Sequence, residues 1–209
     1  DTVWIDVQSP FESQQLKVRV VSQISTRFVH RQASLIPIAE LIANQFEQCP
    51  GNYLAFFSSF DYLQQVAERL ADSHPHITQW QQARGMDELA RQGFLDQFTP
   101  SSQGIGFAVL GGAFGEGIDL PGTRLIGAFV ATLGLAQFNP VNEQIKQRMA
   151  TLFGAGYDYT YLYPGVQKVV QAAGRVIRTQ HDRGVVFLID DRFGESKVRD
   201  LLPRWWEIR

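Results

Sequence analysis

The sequence predicts an α/β domain: a mostly parallel sheet with helices on both faces, preceded by a connecting arm over residues 1–30. Three observations carry this expectation. Short apolar runs recur at 53–58, 106–110, 124–131 and 184–190. Helix-patterned segments separate them, and apolar strands alternating with helices imply right-handed βαβ units and a sheet covered on both sides. The length, 209 residues, suits one domain of this kind with an added arm.

Residues 1–30 are poor in helical pattern and rich in β-branched residues and Gln/Ser, so they read as an arm with short strands rather than a core helix. From Ser34 a helix is expected, with Leu35, Ile38, Leu41, Ile42 and Phe46 at helical spacing, stopping at the breaker Cys49-Pro50-Gly51. A buried strand follows at 53–58, then a helix over 61–71 with Asp61 able to cap it. Residues 77–80 read as a second strand and 86–98 as a second helix. After the runs at 106–110 and 124–131 come helices over 138–153 and 166–177, and the last strand spans 184–190. Residues 31–209 form one domain on this reading.

Composition narrows the function classes. Hydrophobic residues are 44% and charged residues 19% of the chain, ordinary values for a globular protein with a real core. The net charge of −2 argues against a strongly basic nucleic-acid coat, so any such contact is local or shared. Cys49 is the single cysteine and no Cys/His spacing resembles a metal centre, so the expected metal set is none. No apolar run is long enough to span a membrane and no leader is visible, which places the expected location in the cytoplasm, with the nucleoid for a bacterial source. The opening at Asp1 reads as a boundary inside a longer polypeptide.

Ligands of parallel sheets sit beyond the carboxyl ends of the strands, so the informative residues belong in the following loops. The stretch from Gly111 to Gly122 places four glycines in seven residues directly after a strand. That density lets a ligand approach the backbone closely, although a glycine-rich loop between packed elements shares the pattern. Its spacing and late position reject a dinucleotide fingerprint. Later, Arg175 and Arg178 are three apart and are expected on one helix face, with Gly174 allowing close approach. Two guanidinium groups so placed suit phosphate recognition, and surface ion pairs are the plain alternative.

Other candidates fare worse. Asp190 and Asp191 imitate a magnesium-binding strand end, but that role needs a GxxxxGK[ST] loop and the sequence has no Gly-Lys pair. His74 and His76 flank Pro75 in an expected solvated turn, with nothing nearby in sequence to complete a ligand set. Trp205 and Trp206 read as anchors of a terminal helix rather than base-stacking platforms.

In combination the segments resemble the second motor lobe of superfamily 2 helicases of the XPD/DinG family. QAAGRVIR at 171–178 is similar to the family's motif VI, GGAFGEGIDLPG at 111–122 to motif V and LAFFSSF at 54–60 to motif IV. Ser9-Pro10-Phe11, Asp191-Arg192-Phe193 and Leu202-Pro203-Arg204-Trp205 are similar to its opening and closing patterns. The resemblance implies a RecA-like lobe from a DNA helicase moving 5′ to 3′ on single-stranded DNA, with ATP and Mg2+ shared with a first lobe. It implies arginine fingers at Arg175 and Arg178, nucleotide contacts at Gln171, Gly174, Gly117 and Asp119, and coupling at Glu116. It places Ser58, Ser59 and Gly112 on the DNA strand. Phe114 departs from many relatives, so its role is open. The phosphate loop, the DEAH-type strand and the iron–sulfur cysteines of many members are absent from this stretch, so a cluster elsewhere in the parent stays open and this chain alone is expected to be inactive. A non-catalytic RecA-like scaffold and a motor lobe of a nuclease-coupled defence complex remain alternatives.

Overall fold

The computed structural model describes residues 11–112, 114, 118–177, 179 and 181–208. In chain order it contains β1 (Leu16–Val21), α1 (Arg31–Gln48), β2 (Asn52–Phe57), α2 (Phe60–Ser73), β3 (Gln79–Gln81), α3 (Glu88–Leu95) and β4 (Gly104–Val109). β5 (Gly127–Ala131), α4 (Pro140–Phe153), α5 (Tyr163–Ala173), β6 (Gly184–Ile189), the short α6 (Ser196–Arg199) and β7 (Glu207–Ile208) complete the strands and α-helices of the described residues. The seven strands form one sheet in the order β3-β4-β2-β5-β6-β1-β7, and each pairing is parallel. This is the RecA-like α/β architecture expected from the sequence.

Within the expected arm, β1 is an interior strand, paired residue for residue with β6 from Leu16↔Gly184 to Val21↔Ile189. Leu16 and Val18 are fully buried. Periodicity hides this because Lys17 and Arg19 interrupt the run while the alternate residues fill the core.

Strand alternation divides that core in two. Tyr53, Ala55 and Phe57 of β2 face α1 and α2, together with Phe107, Phe129 and Phe187. Leu54 and Phe56 face the other way, toward α3, α5 and the β4–β5 connection. With both faces covered, the central strands lack polar alternation, which explains their continuous apolar runs.

Several boundaries shift for local reasons. Ser59, not Asp61, caps α2: its extended backbone lets Oγ accept from Tyr62 N–H at 3.3 Å. Asp61 sits in the first turn and accepts from Gln65 at 2.8 Å. The segment 86–98 yields only the eight residues of α3, capped by Asp87. Gly122–Arg124 form a 3₁₀ turn, which delays β5 to Gly127. Asn139 caps α4 and Gly154 ends it in the left-handed conformation.

The largest correction concerns α5. It follows a π-helical turn at Asp158–Leu162 and stops at Ala173, short of the expected Ile177. Arg175 and Val176 N–H bond to Ala172 and Ala173 carbonyls in tightened three-residue turns. Val176 and Ile177 are then drawn into the core, 2% and 3% exposed. Arg175 therefore lies in a turn and not on a helix face, and Arg178 falls outside the described residues.

Candidate functional site

Because the strands are parallel, their carboxyl ends share one edge, and two loops there begin the site. Leu110 N–H bonds Phe57 O at 2.8 Å, so Ser58 and Gly111 leave neighbouring strands side by side. Gly111 has φ 76°, a conformation side chains disfavour. A Cβ there would also lie 3.1 Å from the Lys168 side chain of α5. Gln82, buried behind this corner, accepts from Val109 N–H at 2.8 Å and fixes the exit of β4.

From that corner the glycine-rich connection crosses the same face as α5. Phe114, Ile118 and Leu120 are buried in the core beside Val169, Ala172 and Ala173. The Phe114 ring packs tilted against Phe94, 4.6 Å between centroids, with the Arg91 guanidinium over it, so position 114 is an anchor. With apolar residues pinned inward, Gly112 and Asp119 are left exposed. Gly117 and Glu116 fall outside the described residues.

At the amino edge of the sheet the connection meets the arginine-bearing turn. Asp182, 7% exposed, accepts from Gly122 N–H at 3.2 Å and from Thr179 N–H at 2.7 Å. Gln15, just ahead of β1, donates to the carbonyls of Thr179 and Asp182 at 3.1 and 3.0 Å. Sequence reasoning missed both residues, which carry no motif and lie 167 positions apart. Arg175 and Gly174 are half-buried and Gln171 is exposed beside this clamp. The arginine segment thus precedes β6 instead of following a strand, contrary to the carboxyl-edge expectation.

α5 itself is held close to the sheet. A Cβ on Gly134, which has φ 73°, would stand 2.5 Å from Gly165 O, and one on Gly165 would stand 2.7 Å from Leu133 O. Only paired glycines allow that backbone approach.

At the carboxyl edge a groove is lined by Thr26, Arg27, Arg31, Ser58, Ser59, Thr132 and Arg192 with flanking apolar residues. The Arg31 guanidinium donates to Ser58 Oγ at 2.8 Å and lies 5.0 Å over the Tyr62 ring. Arg27 pairs with Asp191 at 3.0 Å. Asp190, fully buried, accepts from Thr26 N–H and hydroxyl and from Arg192 Nε at 2.5 Å. Burial pushes the Asp190 carboxyl up, yet the hydrogen bond and charge of Arg192, with the Thr26 bond, bring it below the usual carboxylate range. Asp190 and Asp191 thus end β6 in ion pairs.

The other candidates find different places. Trp206 is buried in the core and Trp205 packs 5.8 Å from Phe11; both sit in the turn before β7, where no terminal helix forms. His74 and His76 are not a simple solvated turn, because α1 brings Glu40 and Glu47 to them. Among the described residues no helix is long and apolar enough to cross a membrane.

Known proteins resemble the chain in sequence and in fold. Residues 42–209 match the model described as "Helicase C-terminal domain". The chain is 28% identical over 205 residues to "Regulator of telomere elongation helicase 1" of Bos taurus, covering 88% of this chain and 17% of that protein. It is 24% identical over 208 residues to "ATP-dependent DNA helicase CHL1" of Coccidioides immitis, covering 83% and 24% respectively. A solved structure titled "XPD_APO" superposes with a TM-score of 0.74 at 17% identity, over 91% of this chain and 39% of that one. The chain thus spans only about a fifth of these curated relatives.

Proposed function

The chain belongs to the helicase C-terminal domain family, and from that premise we propose that it serves as the second motor lobe of an XPD-like, ATP-driven DNA helicase moving 5′ to 3′ along one strand. One observation carries the reading: Asp182 and Gln15 clamp the glycine-rich connection and the arginine-bearing turn together on one face, away from the carboxyl-edge groove. A motor lobe needs two such surfaces, one toward nucleotide and one toward the strand.

On the first surface Arg175, Gln171 and Asp119 meet the nucleotide, joined by Arg178, Gly174 and Gly117, with Glu116 coupling it to the strand. Guanidinium groups stabilise the charge that develops on the γ-phosphoryl oxygens. The sequence has no Gly-Lys pair, so the phosphate loop and the Mg2+ ligands come from a first lobe.

On the second surface the Ser58 and Ser59 hydroxyls, the Gly112 backbone and the first N–H groups of α2 take phosphates of single-stranded DNA. Among the described residues Arg31 makes no carboxylate pair, so its charge is available to a phosphate. Contacts of this type grip any sequence.

The deciding experiment is DNA-stimulated ATPase of the full-length protein. Arg175→Ala and Arg178→Ala lower kcat by roughly 10³-fold on this reading. Near-normal turnover in both variants overturns it and favours a scaffold role with the arginines in ion pairs.

A further inference from the structure

The cluster between the end of α1 and the α2–β3 turn carries a second site. Glu40 and Glu47 are two helical turns apart on α1 and so share a face. His74 N–H closes α2 on Leu70 O at 2.8 Å, and Ile77 N–H bonds His74 O at 3.1 Å across Pro75. Ile77 is buried at 4% exposure, so the turn that presents both imidazoles is fixed at each end. The two rings stand 6.0 Å apart at 71°.

We propose that Glu47, His74 and His76 bind a divalent transition-metal ion of the zinc class, stapling α1 to the α2–β3 turn. One donor atom from each lies within 4.8 Å of the others. Glu47 Oε1 is 3.5 Å from His74 Nδ1 and 3.4 Å from His76 Nε2. Those separations are long for hydrogen bonds. They match the edge of a tetrahedron with metal–ligand bonds of about 2.0–2.1 Å, roughly 3.3–3.4 Å.

The other ring nitrogen of His74 supports the assignment. Nε2 sits 3.3 Å from both Glu40 oxygens. A ring N–H donated to a carboxylate orients the opposite nitrogen and raises its basicity, the arrangement common at metal-bound histidines. Two imidazoles and a carboxylate suit zinc and its neighbours, whereas magnesium and calcium take oxygen ligands. Three protein ligands leave a fourth position for water.

The test uses the full-length protein stripped with a chelator and titrated with Co2+ and Zn2+. The wild type binds one equivalent more than the double variant His74→Ala/His76→Ala, and Co2+ gives the intense visible bands of a four-coordinate ion. Glu47→Gln and His76→Ala, both well exposed, lose the same equivalent with unchanged melting in chelator, which separates ligand loss from misfolding. Glu40→Gln keeps the equivalent but binds roughly 10–100-fold more weakly, as an orienting partner does. Identical titrations of the wild type and the double variant overturn the proposal.

Discussion

Asp182 accepts a hydrogen bond from the Gly122 backbone at 3.2 Å, joining the glycine-rich connection to the turn after Arg175 across sixty positions of chain. Its second oxygen takes Thr179 N–H at 2.7 Å. A single carboxylate therefore sets the spacing of the two segments that carry the proposed nucleotide face.

Replacing Asp182 with Ala removes a buried carboxylate and takes its partner from the N–H groups of Gly122 and Thr179, which sit on exposed residues. The expected loss is about 2 kcal/mol, the scale of charged hydrogen bonds. Chemical denaturation measures it, and DNA-stimulated ATPase should fall further than the stability loss alone dictates. An ATPase rate that follows only the folded fraction would leave Asp182 a purely structural residue.

Gly165→Ala tests how tightly α5 is seated. The new Cβ would meet Leu133 O at 2.7 Å and the Gly134 backbone at 3.1 Å. Backbone atoms yield poorly, so a loss of roughly 1–3 kcal/mol is expected. Gly93→Ala, where nothing stands within 4 Å of the added Cβ, should be tolerated or mildly stabilising. Equal melting temperatures for the two variants would contradict the close approach.

The Asp190–Arg192 pair predicts a pH dependence. The folded carboxyl lies below its usual range: burial alone would raise it, but Arg192 and Thr26 outweigh that. Its stabilisation is therefore full above the unfolded value of about 4 and is lost as pH falls through the depressed folded value. Asp190→Asn at neutral pH should cost roughly 3–5 kcal/mol, because it leaves Arg192 charged and half-satisfied. The variant's stability should also change less than the wild type's below pH 4. Parallel acid-unfolding curves would contradict the assignment.

On the strand groove, Ser58→Ala removes a hydroxyl bonded to Arg31, while Ser59→Ala also removes the α2 cap. Both should weaken single-strand binding by about 1 kcal/mol for any sequence. Only Ser59→Ala should additionally lower stability, by about 1 kcal/mol. Arg31→Ala should reduce the salt dependence of binding, since it removes a cation. Losses that vary strongly with DNA sequence would point to base readout instead.

The chain by itself should hydrolyse no ATP above background, with or without DNA, because no Gly-Lys phosphate loop is present. In the full-length protein, Arg175→Lys should fail to restore what Arg175→Ala loses, since an ammonium cannot make the planar two-pronged contact. Turnover by a contaminant-free sample of this chain would refute the half-motor reading.

The sequence alone determined the class of fold, since strands buried on both faces must read as continuous apolar runs, and β2, β4, β5 and β6 do. It also marked the segments that hold the proposed site, because glycine density and closely spaced arginines are local properties. What it could not determine was anything set by partners distant in the chain. β1 became an interior strand only by pairing with β6, 168 positions on from Leu16 to Gly184. Helical periodicity carried α5 through Arg175, yet the core claimed Val176 and Ile177 and turned the chain out of the helix. Asp182 and Gln15 have no local signature, and Glu47 meets His74 and His76 only because α1 packs against α2. Each of these was decided by burial and hydrogen-bond satisfaction in three dimensions, and a linear pattern carries no record of which distant group will supply the partner.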